Sequence, residues 1–264
     1  MMNSRCCLTA HISIFAATAM LAGPVLAATD SQQTEPSEWS VGLGVGGGWS
    51  PEYLGADTYK AEGLPWIQAR KGQLSINPVT GISYDFLKSE RWKLGPALSY
   101  ARGRENSGAL TQFEDVHGSL LAGAIASWTS GQWQINGDIA APVSGDLDGV
   151  RVRGYLRFCG KITNRLLYAA GPGVSWASNR WSRALFDVSI EDAARSGLRP
   201  YRAEGEYVQG SMNGRLTFLV TRKFSVSTVA QYSRLFGDAA DSSIVEDVGD
   251  ANQWHGSLAI NYQF

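Results

Sequence analysis

The feature that most constrains this chain is a strict two-residue hydropathic period, held over segments of 12 or more residues and repeated from residue 39 to the end. Trp39, Val41, Leu43, Val45 and Trp49 alternate with Ser40, Gly42, Gly44, Gly46 and Gly48. Trp92, Leu94, Pro96, Leu98 and Tyr100 share another face, and Trp254, Gly256, Leu258, Ile260, Tyr262 and Phe264 form the last. A period of two places alternate side chains on opposite faces of a strand. Strands of soluble proteins cluster near 5–6 residues. Longer strands with aromatic ends and an apolar middle match bilayer-crossing strands between interfacial girdles. The opposite faces are polar, as in Gln132, Gln134, Asn136 and Asp138, or Tyr207, Gln209, Ser211, Asn213, Arg215 and Thr217. In a soluble β-sandwich, the alternative reading, the apolar face would be the core. Strand length favours the inverted arrangement, with lipid on the apolar side and a polar lumen.

Composition agrees. Charged residues are 18%, aromatics 11%, Gly 30 of 264, and the net charge is −1. Disorder needs few aromatics and a high net charge, and a nucleic-acid partner calls for a basic excess. Past the N-terminus no apolar stretch is long enough for a membrane helix.

Residues 1–27 read as a secretory signal peptide: Arg5 precedes an apolar run from Leu8 to Leu26, and Val25-Leu26-Ala27 supplies a cleavage site. Residues 28–38 read as a flexible periplasmic leader and 39–264 as the barrel. Cleavage would remove Cys6 and Cys7, leaving Cys159 and no intramolecular disulfide. It would also leave 22 Lys+Arg against 24 Asp+Glu, a net of −2 that argues for no charged partner.

Clear strands are predicted at 39–50, 61–71, 73–87, 91–103, 115–129, 132–143, 149–162, 165–178, 204–221, 223–236 and 252–264. Eleven is an odd number, and bacterial barrels of this kind have even counts. Short joints at Ser130-Gly131, Thr163-Asn164 and Thr221-Arg222 are expected on the periplasmic side. Parity is restored if 73–87 is two short strands around Asn77-Pro78-Val79-Thr80-Gly81, a turn-prone run. The expected fold is therefore an all-β, antiparallel up-and-down transmembrane barrel of about 12 strands, with 10 as the alternative. Segments 104–114, 179–203 and 237–251 are then outer loops.

Three groups of residues could carry chemistry. Arg151, Arg153 and Arg157 form a basic ladder on one lumenal face. They could line an anion-selective constriction, or fill the lumen in pairs with Asp138 and other acids. Pairing is favoured, because buried charges need partners. Asp238, Asp241, Glu246, Asp247 and Asp250 share one outer loop, without the spacing of a calcium loop; no metal or cofactor is expected. His117 and His255 are expected to point inward beside Ser119 and Ser257, but no motif supports a nucleophile and no catalytic residue is assigned. Inward Gly42, Gly44, Gly46, Gly95 and Ala97 would leave room in the lumen.

Several stretches resemble one family, the MltA-interacting protein (MipA)/OmpV outer-membrane proteins. Pro51-Glu52-Tyr53-Leu54-Gly55 is similar to its Pro-acidic-Tyr-x-Gly turn, and Leu94-Gly95-Pro96-Ala97-Leu98-Ser99-Tyr100 to its LGPxLxY strand. Phe186-Asp187-Val188-Ser189 with Ser196-Gly197-Leu198 and Tyr201 resembles its long loop. The most specific run is Ser233-Arg234-Leu235-Phe236-Gly237-Asp238-Ala239-Ala240-Asp241-Ser242. Ser243 stands where Pro is expected and Gln263 where Arg is common. Tyr262 and Phe264 resemble the C-terminal signal read by the barrel-assembly machinery. The resemblance implies a non-catalytic barrel in the outer membrane, in contact with its lipid and lipopolysaccharide. It implies a scaffold tethering a lytic transglycosylase and a penicillin-binding murein synthase. Other family members are porin-like or adhesive, so a small-solute channel and a surface adhesin stand as alternatives. No nucleic-acid partner is implied.

Overall fold

The computed structural model describes residues 38–77 and 80–264. The expected signal peptide and nearly all of the expected leader lie outside the described residues. Thirteen strand segments form one antiparallel sheet: β1 (Ser40–Pro51), β2 (Tyr59–Lys71), β3 (Leu74–Asn77), β4 (Gly81–Tyr84), β5 (Leu87–Lys88), β6 (Trp92–Ala101), β7 (Ser119–Ser130), β8 (Trp133–Ser144), β9 (Arg151–Lys161), β10 (Leu166–Ala177), β11 (Tyr207–Leu219), β12 (Phe224–Phe236) and β13 (Asn252–Gln263). Consecutive segments pair, except that β4 passes over β5 to pair with β6, and β1 pairs with β13 from Gly42↔Gln263 to Trp49↔Gly256, which closes the sheet. β4 and β5 both pair with β6 and form one interrupted stave, so the barrel has twelve.

The interruption has a local cause. Ser83 pairs with Ala97 and Leu87 with Leu94, so Tyr84–Phe86 face only Gly95 and Pro96. One extra residue on one strand is a β-bulge, and proline cannot donate to the ladder. The Tyr84 carbonyl approaches so closely that a Cβ on residue 95 would lie 1.7 Å from it. The bulge turns Asp85 inward, where it is 2% exposed and accepts from Arg70 Nη2 at 3.0 Å.

The outside is an apolar belt. Leu43, Val45, Ile67, Leu98, Ile135, Val174, Met212, Leu258 and Ile260 are all exposed. Aromatics ring both ends of it. Trp92–Trp128, Trp133–Phe158 and Phe224–Tyr262 contact one another at the short-turn end, and Trp49–Tyr59 and Tyr232–Trp254 at the long-loop end. This is the surface of a membrane barrel. No described helix is long and apolar enough to cross a membrane.

The strands of the long hairpins have 10–13 residues, but β3 and β4 have four each. The β2–β3 ladder covers only Ala69–Lys71, and β4 meets β6 only at Leu98 and Ala97. Among the described residues, Tyr59–Gln68 of β2 therefore pair on one side only, with β1.

Candidate functional site

The long loops fold inward instead of standing free. The β10–β11 connection carries α1 (Asn179–Phe186) and α2 (Ile190–Ser196), and the β12–β13 connection carries α3 (Asp238–Asp241) and α4 (Ser243–Glu246). In α1, Trp181, Leu185 and Phe186 fall on one face at helical spacing and are buried. They pack with Leu121, Ala140, Ala177, Tyr207, Leu235 and Val245, residues from strands around the barrel and from the last loop. A single apolar cluster thus bridges the mouth. A second joins Tyr53, Ala56, Leu110, Phe113, Val188, Ala193 and Ile244 across four loops. Burying each large apolar side chain stabilises this cap by about 1.5–3 kcal/mol.

Polar contacts tie the loops. Val188 and Tyr201 exchange backbone hydrogen bonds at 2.8 and 3.0 Å. Tyr201 donates its hydroxyl to the Asp238 carbonyl at 2.9 Å, Ser242 donates to the Phe186 carbonyl at 2.7 Å, and Ser243 to that of Arg199 at 2.7 Å. Arg199 pairs with Glu246 and Asp247 at 2.6 and 2.9 Å, which holds the Asp247 carboxyl below the usual carboxylate range. Burial, and then the Asp57 and Glu52 carboxylates, push the Tyr53 phenol up to about 12.

The residues of the suggested family motifs converge in this cap. Pro51 and Tyr53 are buried at the β1–β2 turn. Gly55 has φ +97° and lies where a Cβ would be 2.5 Å from Val245. Its carbonyl accepts from Asp250 at 2.8 Å, and Leu235 is 1% exposed beside it. The Asp238 carboxylate accepts from the backbone N–H groups of Glu204 and Gly205, and Gly237 accepts from the Asp241 N–H at 3.1 Å. Arg234 points outward over the Phe236 ring at 5.9 Å. At the other end Tyr262 and Phe264 meet edge to face at 4.7 Å.

The basic ladder lies inside, below the cap. Arg151, Arg153 and Arg157 are 4–5% exposed. Register places Arg153 opposite Asp138 on β8, and its Nε donates to both carboxylate oxygens at 3.0 and 3.1 Å. Arg151 stacks on Trp181 at 5.3 Å, which joins the ladder to α1, and Arg157 on Tyr155 at 5.2 Å. Gln134, Asn136, Gln209 and Gln231 are buried around them. A packed interior of this kind is not an open constriction.

Other expectations are corrected. His117 does not point into the lumen: it precedes β7, its side chain is 77% exposed, and it binds Asp146 at 2.8 Å. Ser119 Oγ accepts from the Leu147 N–H at 2.9 Å, so it is engaged elsewhere. The strand predicted at 115–129 starts four residues later, and Val116, ahead of it, packs on the cap. The glycines of β1 leave no room, because a Cβ at 42, 44 or 46 would meet Gln263, Asn261 or Ala259 within 3.0 Å. The acids of the last loop serve the protein itself, Asp250 capping Asn252 at 2.7 Å, and no group of three or more possible metal ligands occurs among the described residues.

Sequence reasoning missed two charged groups. Arg104 is 7% exposed in the cap, donates to the Leu185 carbonyl at 2.8 Å and stacks on Phe113 at 5.1 Å. Lys60 and Glu62 of β2 are joined at 2.9 Å, Arg102 binds Glu62 at 3.2 Å, and Lys60 also binds Glu105. Arg102 and Glu62 are 40 residues apart in sequence, Lys60 and Glu105 45, and Arg104 and Leu185 81, so no local pattern announces these contacts.

The chain is similar to the NanC porin at 10% identity, over 84% of this chain and 100% of that one, with a TM-score of 0.45. It is similar to OprB of Pseudomonas putida at 9% identity, over 86% and 94%, with a TM-score of 0.43. For the translocator domain of the autotransporter NalP from Neisseria meningitidis the values are 13%, 89%, 90% and 0.41. No curated protein matches. The family model of MltA-interacting protein MipA matches residues 43–264, which include the buried turn at Pro51–Gly55, the Arg234–Asp241 run and all the strands between them. On that match the chain belongs to the MipA family.

Proposed function

We propose that this protein is a non-catalytic outer-membrane barrel that holds murein-remodelling enzymes near the membrane, with its long loops outside the cell and its short turns in the periplasm. The observation that carries this reading is the family match over residues 43–264, whose name states an interaction with MltA. The partners are a lytic transglycosylase and, by the resemblance, a penicillin-binding murein synthase. The mechanism is positional: a fixed barrel raises the effective concentration of the partners it tethers. The capped mouth and filled interior support a holding role over a conducting one. Tyr262 and Phe264 would serve export, as the signal for the assembly machinery.

Crosslinking in intact cells followed by identification of co-purifying proteins tests the proposal. Recovery of the transglycosylase and the synthase is the expected result. Recovery of only lipopolysaccharide and assembly machinery would transfer the assignment to the channel reading.

A further inference from the structure

The two ends of the barrel carry opposite charge. The long connections hold 17 Asp and Glu against 7 Lys and Arg. At the short-turn end, seven Lys and Arg are exposed in the turns and the strand ends that meet them, against Glu38 and Glu90. Four of the seven stand together. Lys161 and Arg165 flank the β9–β10 turn, and Arg222 and Lys223 lie in the β11–β12 turn, with no acid in either. β10 pairs with β11, so the two turns are two inter-strand spacings apart, about 10 Å. That is near the Debye length of about 8 Å at physiological ionic strength, so their fields add. Lys88 and Arg91 at the β5–β6 turn are four spacings away, about 19 Å along the wall, and are screened from them. The two turns of the quartet are built alike. Thr163 Oγ1 accepts from the N–H groups of Arg165 and Leu166 at 3.2 and 3.0 Å, and Thr221 Oγ1 from those of Lys223 and Phe224 at 3.1 and 3.0 Å. The Leu219 N–H donates to the Arg165 carbonyl at 2.8 Å, which ties one turn to the next. Cations on a fixed backbone lose less entropy on engaging a partner than cations on a loose loop.

Beside the quartet a shallow recess opens at the same end, lined by the Thr221–Lys223 turn and by Gly42, Trp66, Gln68, Ser225 and Asn261. Gly42 stands opposite Gln68, and Ser225 opposite Asn261, on the lumenal face of the sheet. The recess is therefore reached from water and not from lipid. Asn261 is 8% exposed, and neither its amide nitrogen nor its oxygen has a hydrogen-bond partner in the protein. A buried amide of this kind is costly until something bonds to it. The enclosed part of the recess holds about one water-sized group. A carboxylate oxygen fits there, whereas a sugar ring or an acyl chain does not. An acidic side chain with acidic neighbours meets both features, its tip bonding Asn261 and its neighbours facing the four cations.

We propose that the short-turn face of β9–β12, with Asn261 in the recess beside it, docks an acidic segment of a periplasmic protein. This deepens the holding role proposed above and rests on that reading, since it needs the short turns in the periplasm and a partner to hold.

A fluorescein-labelled deca-glutamate peptide, titrated against the full chain in phosphatidylcholine nanodiscs, tests the site. Binding should weaken as salt rises. Lys161→Glu, Arg165→Glu, Arg222→Glu and Lys223→Glu together should reduce it at least about ten-fold, the signature of a local electrostatic site. Lys88→Glu with Arg91→Glu, on the far turn, should leave it nearly unchanged. Asn261→Asp keeps the shape and adds charge, and should weaken binding several-fold. No binding, equal loss in the two charge-reversed proteins, or unchanged affinity in Asn261→Asp would overturn the proposal. Tighter binding of a disaccharide-peptide fragment of murein would also overturn it, by making the site a wall contact. So would loss of binding when phosphatidylglycerol is added to the discs, which would assign the cations to lipid headgroups. So would binding only after deletion of residues 28–37, whose acids Asp30 and Glu35 would then be the occupant. The crosslinking described above, repeated with the four-site variant, separates this failure from that of the holding role. A transglycosylase recovered with the parent and lost in the variant supports the docking site. Equal recovery from both overturns it and leaves the holding role standing, whereas no recovery from the parent removes the holding role itself.

Discussion

Arg153 and Asp138 show what a charge costs inside a packed barrel. Their side chains are 5% and 8% exposed, and each satisfies the other. Removing one partner of a buried pair leaves an uncompensated charge, at a cost of about 3–5 kcal/mol, whereas replacing both with apolar residues of similar volume is often near neutral. Asp138→Ala should therefore destabilise the vesicle-embedded barrel in a urea titration by that amount, and Asp138→Leu with Arg153→Met should recover most of it. Equal losses in both variants would mean that the pair is incidental. Exposed pairs behave differently. Asp247 is held below the usual carboxylate range by Arg199, so its contribution is present above the unfolded value near pH 4 and is lost as pH falls through the lower folded value. The last loop should loosen on acidification below about pH 4 while the barrel stays intact. Hydrogen exchange at Ser243–Asp247 against that of β12 reads the difference.

At the scale of elements, the twelve staves were legible because lipid-facing strands repeat one simple pattern, and a barrel must return to its first strand. The turn at Asn77–Gly81 was legible from turn chemistry and parity together. The break at Tyr84–Phe86 was not, since it depends on Pro96, which lies on the neighbouring strand. The helices of the cap were read as loops. They have four to eight residues, and their apolar faces have meaning only against strands far away in sequence. The same holds for the Arg102–Glu62 bridge. Gly55 illustrates how tightly the cap is joined to the sheet. Alanine there meets a left-handed backbone costing about 1–2 kcal/mol and a clash with Val245. Gly55→Ala should speed protease cleavage of the 237–251 loop while leaving circular dichroism of the strands unchanged. Adding Val245→Ala should restore only part of the resistance, because it relieves the contact and not the dihedral.

For the whole molecule, the question is whether a closed wall makes a pore. A channel needs a continuous aqueous path, and here two barriers lie in series. The cap spans the mouth through Trp181, Leu185 and Phe186, and the arginine ladder packs the interior below. They are coupled, because Arg151 rests on Trp181. Replacing residues 180–202 with a short Gly-Ser turn removes the upper barrier and frees Arg151 to move. In planar bilayers the intact protein should show little steady current. The shortened protein should conduct several-fold more and prefer anions, since positive charge lines the path. Arg153→Ala in the shortened protein should then reduce that preference. If the intact protein already conducts as well as the shortened one, the cap is not a barrier and the channel reading displaces the holding role. A silent intact barrel that opens only when its outer loop is cut places the function in what the barrel holds, not in what it passes along its axis.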